Sequence, residues 1–176
     1  MFVDPGLVGL AAVAPDQGSG GSQVAGGAEL RLDLGWKWVA GTVALRGLSP
    51  TQPTFAGYRV DLARVPVSLG ARFQWNRGRW SLFSGLELSL STIRLAGHDL
   101  LAAQIQVRLE LGLSVPLGVK FWIRPWVAVA VVAGVDVAFE RYRVFVNGAG
   151  GLGNTPRAWV DVGLGMTFRV RSRERF

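Results

Sequence analysis

The sequence predicts an all-β fold: a closed eight-stranded antiparallel up-and-down transmembrane β-barrel. Three observations carry that expectation. The first is alternation. From Leu101 to Leu117, the side chains Leu101, Ala103, Ile105, Val107, Leu109, Leu111, Leu113, Val115 and Leu117 fall on one face. Ala102, Gln104, Gln106, Arg108, Glu110, Gly112, Ser114 and Pro116 fall on the other. A period of two is a strand period. A long strand with one aliphatic face and charges of both signs opposite suits a wall between lipid and lumen. The second is composition. Hydrophobic residues make up 49% of the 176 and charged residues only 18%, against roughly 25% charged in soluble domains. No run approaches the roughly 20 apolar residues of a membrane helix. The longest apolar stretch, Val127 to Val135, is far too short. The 24 glycines disfavour helix and suit turns and crowded barrel interiors. The third is the placement of aromatic residues at the ends of short turns.

Eight segments read as strands. Val3 to Ala14 is the first, followed by a Gly/Ser-rich loop at Pro15 to Ser22. Gln23 to Leu34 is the second, with Leu30, Leu32 and Leu34 opposed to Glu29, Arg31 and Asp33. A tight turn at Gly35 to Lys37 leads to the third, Trp38 to Leu48, and Ser49 to Thr54 forms a loop with two prolines. The fourth, Ala56 to Trp75, slips its alternation near Ala63–Arg64, which predicts a bulge. Asn76 to Arg79 is a hairpin turn, and Trp80 to Leu95 is the fifth strand. A short loop at Ala96 to Asp99 precedes the alternating sixth, and a turn is expected at Leu117 to Val119. The seventh, Lys120 to Val146, is long enough to project from a bilayer or break near Gly134. A glycine-rich loop at Asn147 to Pro156 leads to the eighth, Arg157 to Val170. Residues 1–170 thus form the barrel and 171–176 a basic tail.

The connections alternate between polar loops and tight turns, as in barrels with long loops on one side and short turns on the other. An even strand number puts both termini at the short-turn side. Trp36, Trp38, Trp75, Trp80, Trp122 and Phe168 lie at the short-turn ends; Tyr58, Tyr142 and Trp159 lie toward the opposite rim. Two such bands are what a membrane interface selects.

With aliphatic side chains outward, the other face fills the lumen, which in an eight-stranded barrel is just wide enough for side chains. That face carries Glu29, Arg31, Asp33, Arg46, Arg59, Asp61, Arg72, Glu87, Arg108, Glu110, Arg124, Asp161 and Arg169. Both signs are present, as buried charges require. A short loop at Gly97–His98 puts Glu87 opposite Arg108, and Glu110 diagonal to Arg124. The set reads either as a self-neutralising plug or as a gate in a narrow pore.

Other features bound the chemistry. Cysteine is absent, which excludes disulfides and Cys-ligated metal. His98 is the sole histidine and has no grouped ligands. Gly148 to Gly153 lacks the lysine and helix of a phosphate loop. No cofactor is expected. The net charge of +7 is spread among apolar positions, so nucleic acid is not an expected partner. Lys37, Arg77, Arg79, Lys120 and Arg171 to Arg175 gather at the short-turn side, as solvated charge or in contact with anionic headgroups. Leu7 to Ala14 lacks the basic lead of a signal peptide and reads as strand, so the chain is expected to be a mature form or the barrel domain of a longer precursor.

The run Asp161-Val162-Gly163-Leu164-Gly165-Met166-Thr167-Phe168 resembles the C-terminal assembly signal of small eight-stranded outer-membrane barrels of Gram-negative bacteria, the OmpA/OmpX/OmpW type. The resemblance implies that Asp161, Gly163, Met166 and Phe168 are read by the barrel-insertion machinery. It also implies residence in the outer membrane, with termini periplasmic and membrane lipid as the surrounding partner. In that family the chain often stops at the aromatic residue, whereas here a charged tail continues to Phe176. The expected role is a non-enzymatic anchor or interaction scaffold with a plugged or very narrow polar lumen. The alternatives are a small-solute pore, a soluble lipocalin-like carrier and a lipid-modifying hydrolase.

Overall fold

The structure, a computed structural model, describes residues 1–15, 22–55, 58–97, 106–146 and 150–171. The expected loop from Pro15 to Ser22 falls largely outside them. So do His98, the Leu101–Ile105 portion of the sixth expected strand, part of the glycine-rich loop and the tail from Ser172. Twelve strands are described: β1 (Phe2–Ala14), β2 (Gln23–Trp36), β3 (Val39–Leu48), β4 (Thr54–Phe55), β5 (Tyr58–Arg77), β6 (Trp80–Gly97), β7 (Gln106–Arg124), β8 (Val127–Ala138), β9 (Arg143–Val146), β10 (Gly150–Asn154), β11 (Ala158–Phe168) and β12 (Val170–Arg171). Eight of them, β1, β2, β3, β5, β6, β7, β8 and β11, are the staves of a closed antiparallel barrel. Neighbours in the chain are neighbours in the sheet, and β11 closes on β1 from Gly6↔Thr167 to Val13↔Val160. β12 extends the last stave past Arg169 and pairs Arg171 with Phe2. β4 folds back on β5, and β9 and β10 form a separate hairpin at the far rim. Closure removes the free sheet edges that an open sheet would leave.

Alternation sets the wall. Val107 and Leu109 are 60% and 62% exposed on the outer surface, while Glu110 between the same strand neighbours is buried inside. The short connections are Lys37–Trp38, Gly78–Arg79 and Pro125–Trp126. The first two take the positive φ that matches the strand twist, and the third turns beside a register shift at Trp122–Arg124. Gly78 has φ +59°, and Lys37 adopts +51° despite its side chain. The first and last described strands begin and end at this short-turn end, because Phe2 pairs with Gly35 and with Arg171.

Three expectations are corrected. The turn expected at Leu117 to Val119 does not form: β7 runs on to Arg124 and the chain reverses at Pro125–Trp126. Pro116 faces the lumen inside β7; it has no N–H, and the β6–β7 ladder skips from Ser84↔Leu117 to Glu87↔Ser114 around it. The seventh expected strand is therefore three pieces, the end of β7, β8 and β9. It does not break at Gly134, which stays in register with Asp161 and Pro116. The bulge expected at Ala63–Arg64 is also absent, since β5 pairs continuously with β6 from Val60↔Gly97 to Arg77↔Trp80. What inverts there is the environment. Val60 and Leu62 face inward and join Ala12, Ala14, Ala25, Ile93, Leu95 and Trp159 in an apolar cluster that fills the loop end of the lumen. Arg59 and Asp61 consequently stand on the outside.

Gly70 shows how closely the staves approach. A Cβ there would lie 2.1 Å from the Leu86 carbonyl oxygen and 2.5 Å from Glu87 Cα. Gly70→Val is expected to abolish the compact, heat-modifiable band on a detergent gel. Retention of that band at wild-type yield would show that the β5–β6 approach is not tight.

Candidate functional site

The lumen holds the chemistry. Among the described residues it encloses six cations, Arg31, Arg46, Arg64, Arg72, Lys120 and Arg169, and seven acids, Asp4, Glu29, Asp33, Glu87, Glu110, Asp136 and Asp161. They reach it from every stave, because alternate residues of each strand point inward. From the short-turn end, Arg169 clamps Asp4 with two hydrogen bonds of 2.8 and 2.7 Å and lies over the Phe2 and Trp122 rings. Asp4 stands opposite Asp33 in the β1–β2 ladder, a pairing of like charges that is unfavourable alone. Lys120 resolves it by placing Nζ 3.4 Å from Asp4 and 3.2 Å from Asp33. Arg72 adds a 2.9 Å bond to Asp33 and lies 4.0 Å above the centre of the Phe83 ring.

The middle layer turns on Glu29 and Arg46, which are directly opposed on β2 and β3. Glu29 accepts from Arg31 Nε at 2.5 Å and from Arg46 Nε at 2.6 Å. Arg31 also donates to Glu87 at 2.6 Å, and Ser68 Oγ donates to the second Glu87 oxygen at 2.6 Å. Arg46 spans the barrel: its Nη1 reaches Asp136 at 2.7 Å and Asp161 at 3.4 Å, and its Nη2 reaches Ser114 at 3.4 Å. Toward the loop end Arg64 pairs with Glu110 at 3.1 Å, approaches Asp136 at 3.5 Å and lies beneath Trp159. The charge-assisted bonds of 2.5–2.7 Å around Glu29, Glu87 and Arg46 are of the strong class. Each of these ions has at least one partner of opposite charge, so none is the lone buried ion whose desolvation is costliest.

A cavity of about 10 Å³ near the short-turn end, bordered by Arg31, Asp33, Arg72, Phe83 and Lys120 among others, has room for about one water. The hydroxyls of Ser89 and Ser91 and one oxygen each of Asp136 and Asp161 are buried without a direct protein partner. Among the described residues no His, Cys, Asp and Glu group is arranged to hold a metal ion.

The structure brings together Glu29, Arg31, Asp33, Arg46, Arg72, Glu87, Glu110, Asp161 and Arg169 from the expected lumen set. Arg59, Asp61, Arg108 and Arg124 lie outside that buried network. Arg59 and Asp61 face outward, with Asp61 held by Gln52 at 2.8 Å. Arg124 is exposed at the last short turn, and Arg108, paired with the inward-facing Ile93, keeps the lumen side of β7 but is exposed at the rim beyond the ion pairs. Glu87 therefore meets Ser114 and not Arg108, and Glu110 meets Arg64 and not Arg124. Asp4, Arg64, Lys120 and Asp136 also belong to the network, beyond the expected lumen set. Lys120, expected among the solvated basic groups, is 2% exposed. Its signal is parity: Glu110, Gly112, Ser114, Pro116, Gly118, Lys120 and Trp122 continue one face once no turn interrupts them.

The aromatic bands are corrected likewise. Trp36, Trp38, Trp75, Trp80 and Phe168 are exposed around the short-turn end, and Trp126 joins them. Trp122 points inward and donates its indole N–H to Ser81 at 2.7 Å. Trp159 is buried in the loop-end cluster, and Tyr142 is half-buried against it with its hydroxyl donating to the Leu109 carbonyl. The side chain of Tyr58 lies outside the described residues. Of the expected assembly residues, Asp161 and Gly163 face the lumen while Met166 and Phe168 face outward.

A ring of eight antiparallel staves, ionic inside and aliphatic outside, is the fold of the small outer-membrane β-barrels. Three solved structures share it over nearly their full lengths. They are Neisserial surface protein A (TM-score 0.62, 13% identity, 95% of each chain), OprG from Pseudomonas aeruginosa (0.64, 13%, 97% of this chain and 96% of that one) and the attachment invasion locus protein Ail of Yersinia pestis (0.57, 13%, 96% and 98%). No family model matches the sequence, and no curated protein does.

Proposed function

We propose that this chain is an integral outer-membrane barrel that serves as an anchor and interaction scaffold, with short turns and termini on the periplasmic side and a closed lumen. The outward face supports the membrane setting. On β6 the outward residues Leu82, Leu86, Leu88 and Leu90 are about half exposed, and no charge interrupts the face until Arg94. The rise from Leu82 to Thr92 is about 33 Å along the strand, or about 25 Å along the axis at the usual tilt, the height of a barrel's apolar band. A soluble protein would bury such a surface. The fold neighbours are outer-membrane proteins, which supports the same location. The final strand Asp161 to Phe168 is the proposed point of contact with the insertion machinery.

One observation carries the closed reading: the ion pairs around Arg46 cross the lumen, and the apolar cluster of Ile93, Leu95 and Trp159 sits above them. Insertion of the purified barrel into a planar bilayer is expected to give no stepwise current. The pore reading gains from the unpartnered Ser89 and Ser91 hydroxyls, which water could meet; discrete conductance steps would establish it and end the scaffold-with-plug reading.

A further inference from the structure

The three short turns share a composition that the plugged lumen does not explain. They read Trp36-Lys37-Trp38, Trp75-Asn76-Arg77-Gly78-Arg79-Trp80 and Trp122-Ile123-Arg124-Pro125-Trp126, each with a basic residue between tryptophans and none with an acid. The second turn is also shaped. An open groove of about 630 Å³ lies on the outer surface at the β5–β6 hairpin, bordered by Trp75, Arg77, Arg79, Trp80, Leu82 and Phe121. Register orders these groups along the barrel axis. Trp75 is opposite Leu82, and the next outward pair toward the turn is Arg77 with Trp80. Trp80 is also opposite Phe121 on β7, their ring centres 4.8 Å apart. Arg79 forms the turn itself. The groove is therefore apolar toward the barrel middle, aromatic at its shoulder and doubly cationic at its tip. No ion pair to a protein acid is found for Arg77 or Arg79 among the described residues.

We infer that this groove is a binding site for an anionic phospholipid, with the phosphate at Arg77 and Arg79 and an acyl chain along Trp75, Leu82 and Phe121. The inference rests on the membrane reading above. The polarity gradient matches an amphiphile lying parallel to the barrel wall, and aromatic rings prefer the depth at which headgroup meets chain. Two arginines without an acid select negative charge, since juxtamembrane basic groups attract anionic lipid. Guanidinium donors are also suited to bidentate contact with phosphate oxygens.

The test uses the full chain refolded in detergent and then mixed with phosphatidylglycerol or phosphatidylcholine, with bound lipid counted by native mass spectrometry. Wild type is expected to retain phosphatidylglycerol about tenfold better than phosphatidylcholine. Arg77→Gln/Arg79→Gln is expected to lose that preference, while Arg124→Gln at the neighbouring turn keeps most of it. Equal retention of the two lipids by wild type overturns the site without any variant having to fold. Undiminished preference in a double variant that still migrates as a folded barrel overturns the assignment to these arginines. Insertion into vesicles with no lipid preference sinks the site and leaves the membrane reading standing. A wild-type chain that stays monomeric and folded without detergent sinks both.

Discussion

Leu88→Arg is expected to destabilise the barrel in a bilayer by about 2–4 kcal/mol, the cost of a lipid-facing arginine near the midplane. Leu88 is 54% exposed, outward on β6 between Leu69 and Leu113, and near the middle of the span from Trp80 to Arg94. In a water-soluble fold a leucine so exposed could become arginine with a change within about 0.5 kcal/mol. The same substitution thus separates two solvents for one surface. Urea unfolding of the vesicle-inserted protein, followed by tryptophan fluorescence, measures it. A midpoint unchanged from wild type would mean that the outer belt does not meet hydrocarbon, and the outer-membrane assignment would go with it.

Arg46→Ala is expected to cost about 3–5 kcal/mol, because removing one partner strands buried charges. Arg46 pairs with three acids, Glu29, Asp136 and Asp161. Glu29 would keep Arg31 and Asp136 would keep Arg64 at 3.5 Å, but Asp161 would lose its only ion pair among the described residues. Adding Asp161→Asn to the variant is expected to recover part of the loss, since a neutral amide tolerates burial better than an unpaired carboxylate. A loss below about 1 kcal/mol would put the pairs in the class of solvent-screened surface bridges and would point to a hydrated lumen.

How far these residues were readable follows from what alternation can encode. Period two places Glu29, Arg31, Asp33, Arg46 and Glu87 on one face without knowledge of any partner, and all five lie in the lumen. It cannot encode register, which depends on where the chain turns. β6 and β7 pair Leu95 with Gln106, a register centred about three residues beyond Gly97–His98, so Glu87 meets Ser114 and not Arg108. Pro116-Leu117-Gly118 looks like a turn, yet a proline facing inward can stay in a stave if its ladder partner is forgone; that misreading hid Lys120. Arg59 and Asp61 failed for a different reason. Above the apolar belt the outside becomes aqueous and the inside becomes apolar, so the meaning of a polar residue reverses while the backbone register does not. Trp122 and Trp159 were ambiguous because an indole serves equally at an interface or in a core where its N–H or its face has a partner, here Ser81 and Arg64.

The seam between β1 and β11 carries one more consequence. Phe2 and Arg171 are paired neighbours, and every stave of the wall is paired with the next, β11 closing on β1. The cylinder has no privileged first stave, so its architecture is indifferent to where the polypeptide is nicked. A short linker joining these two residues, with new ends opened in a far-rim loop, would give a circular permutant that keeps the same inward side chains while presenting its ends on the opposite face of the membrane.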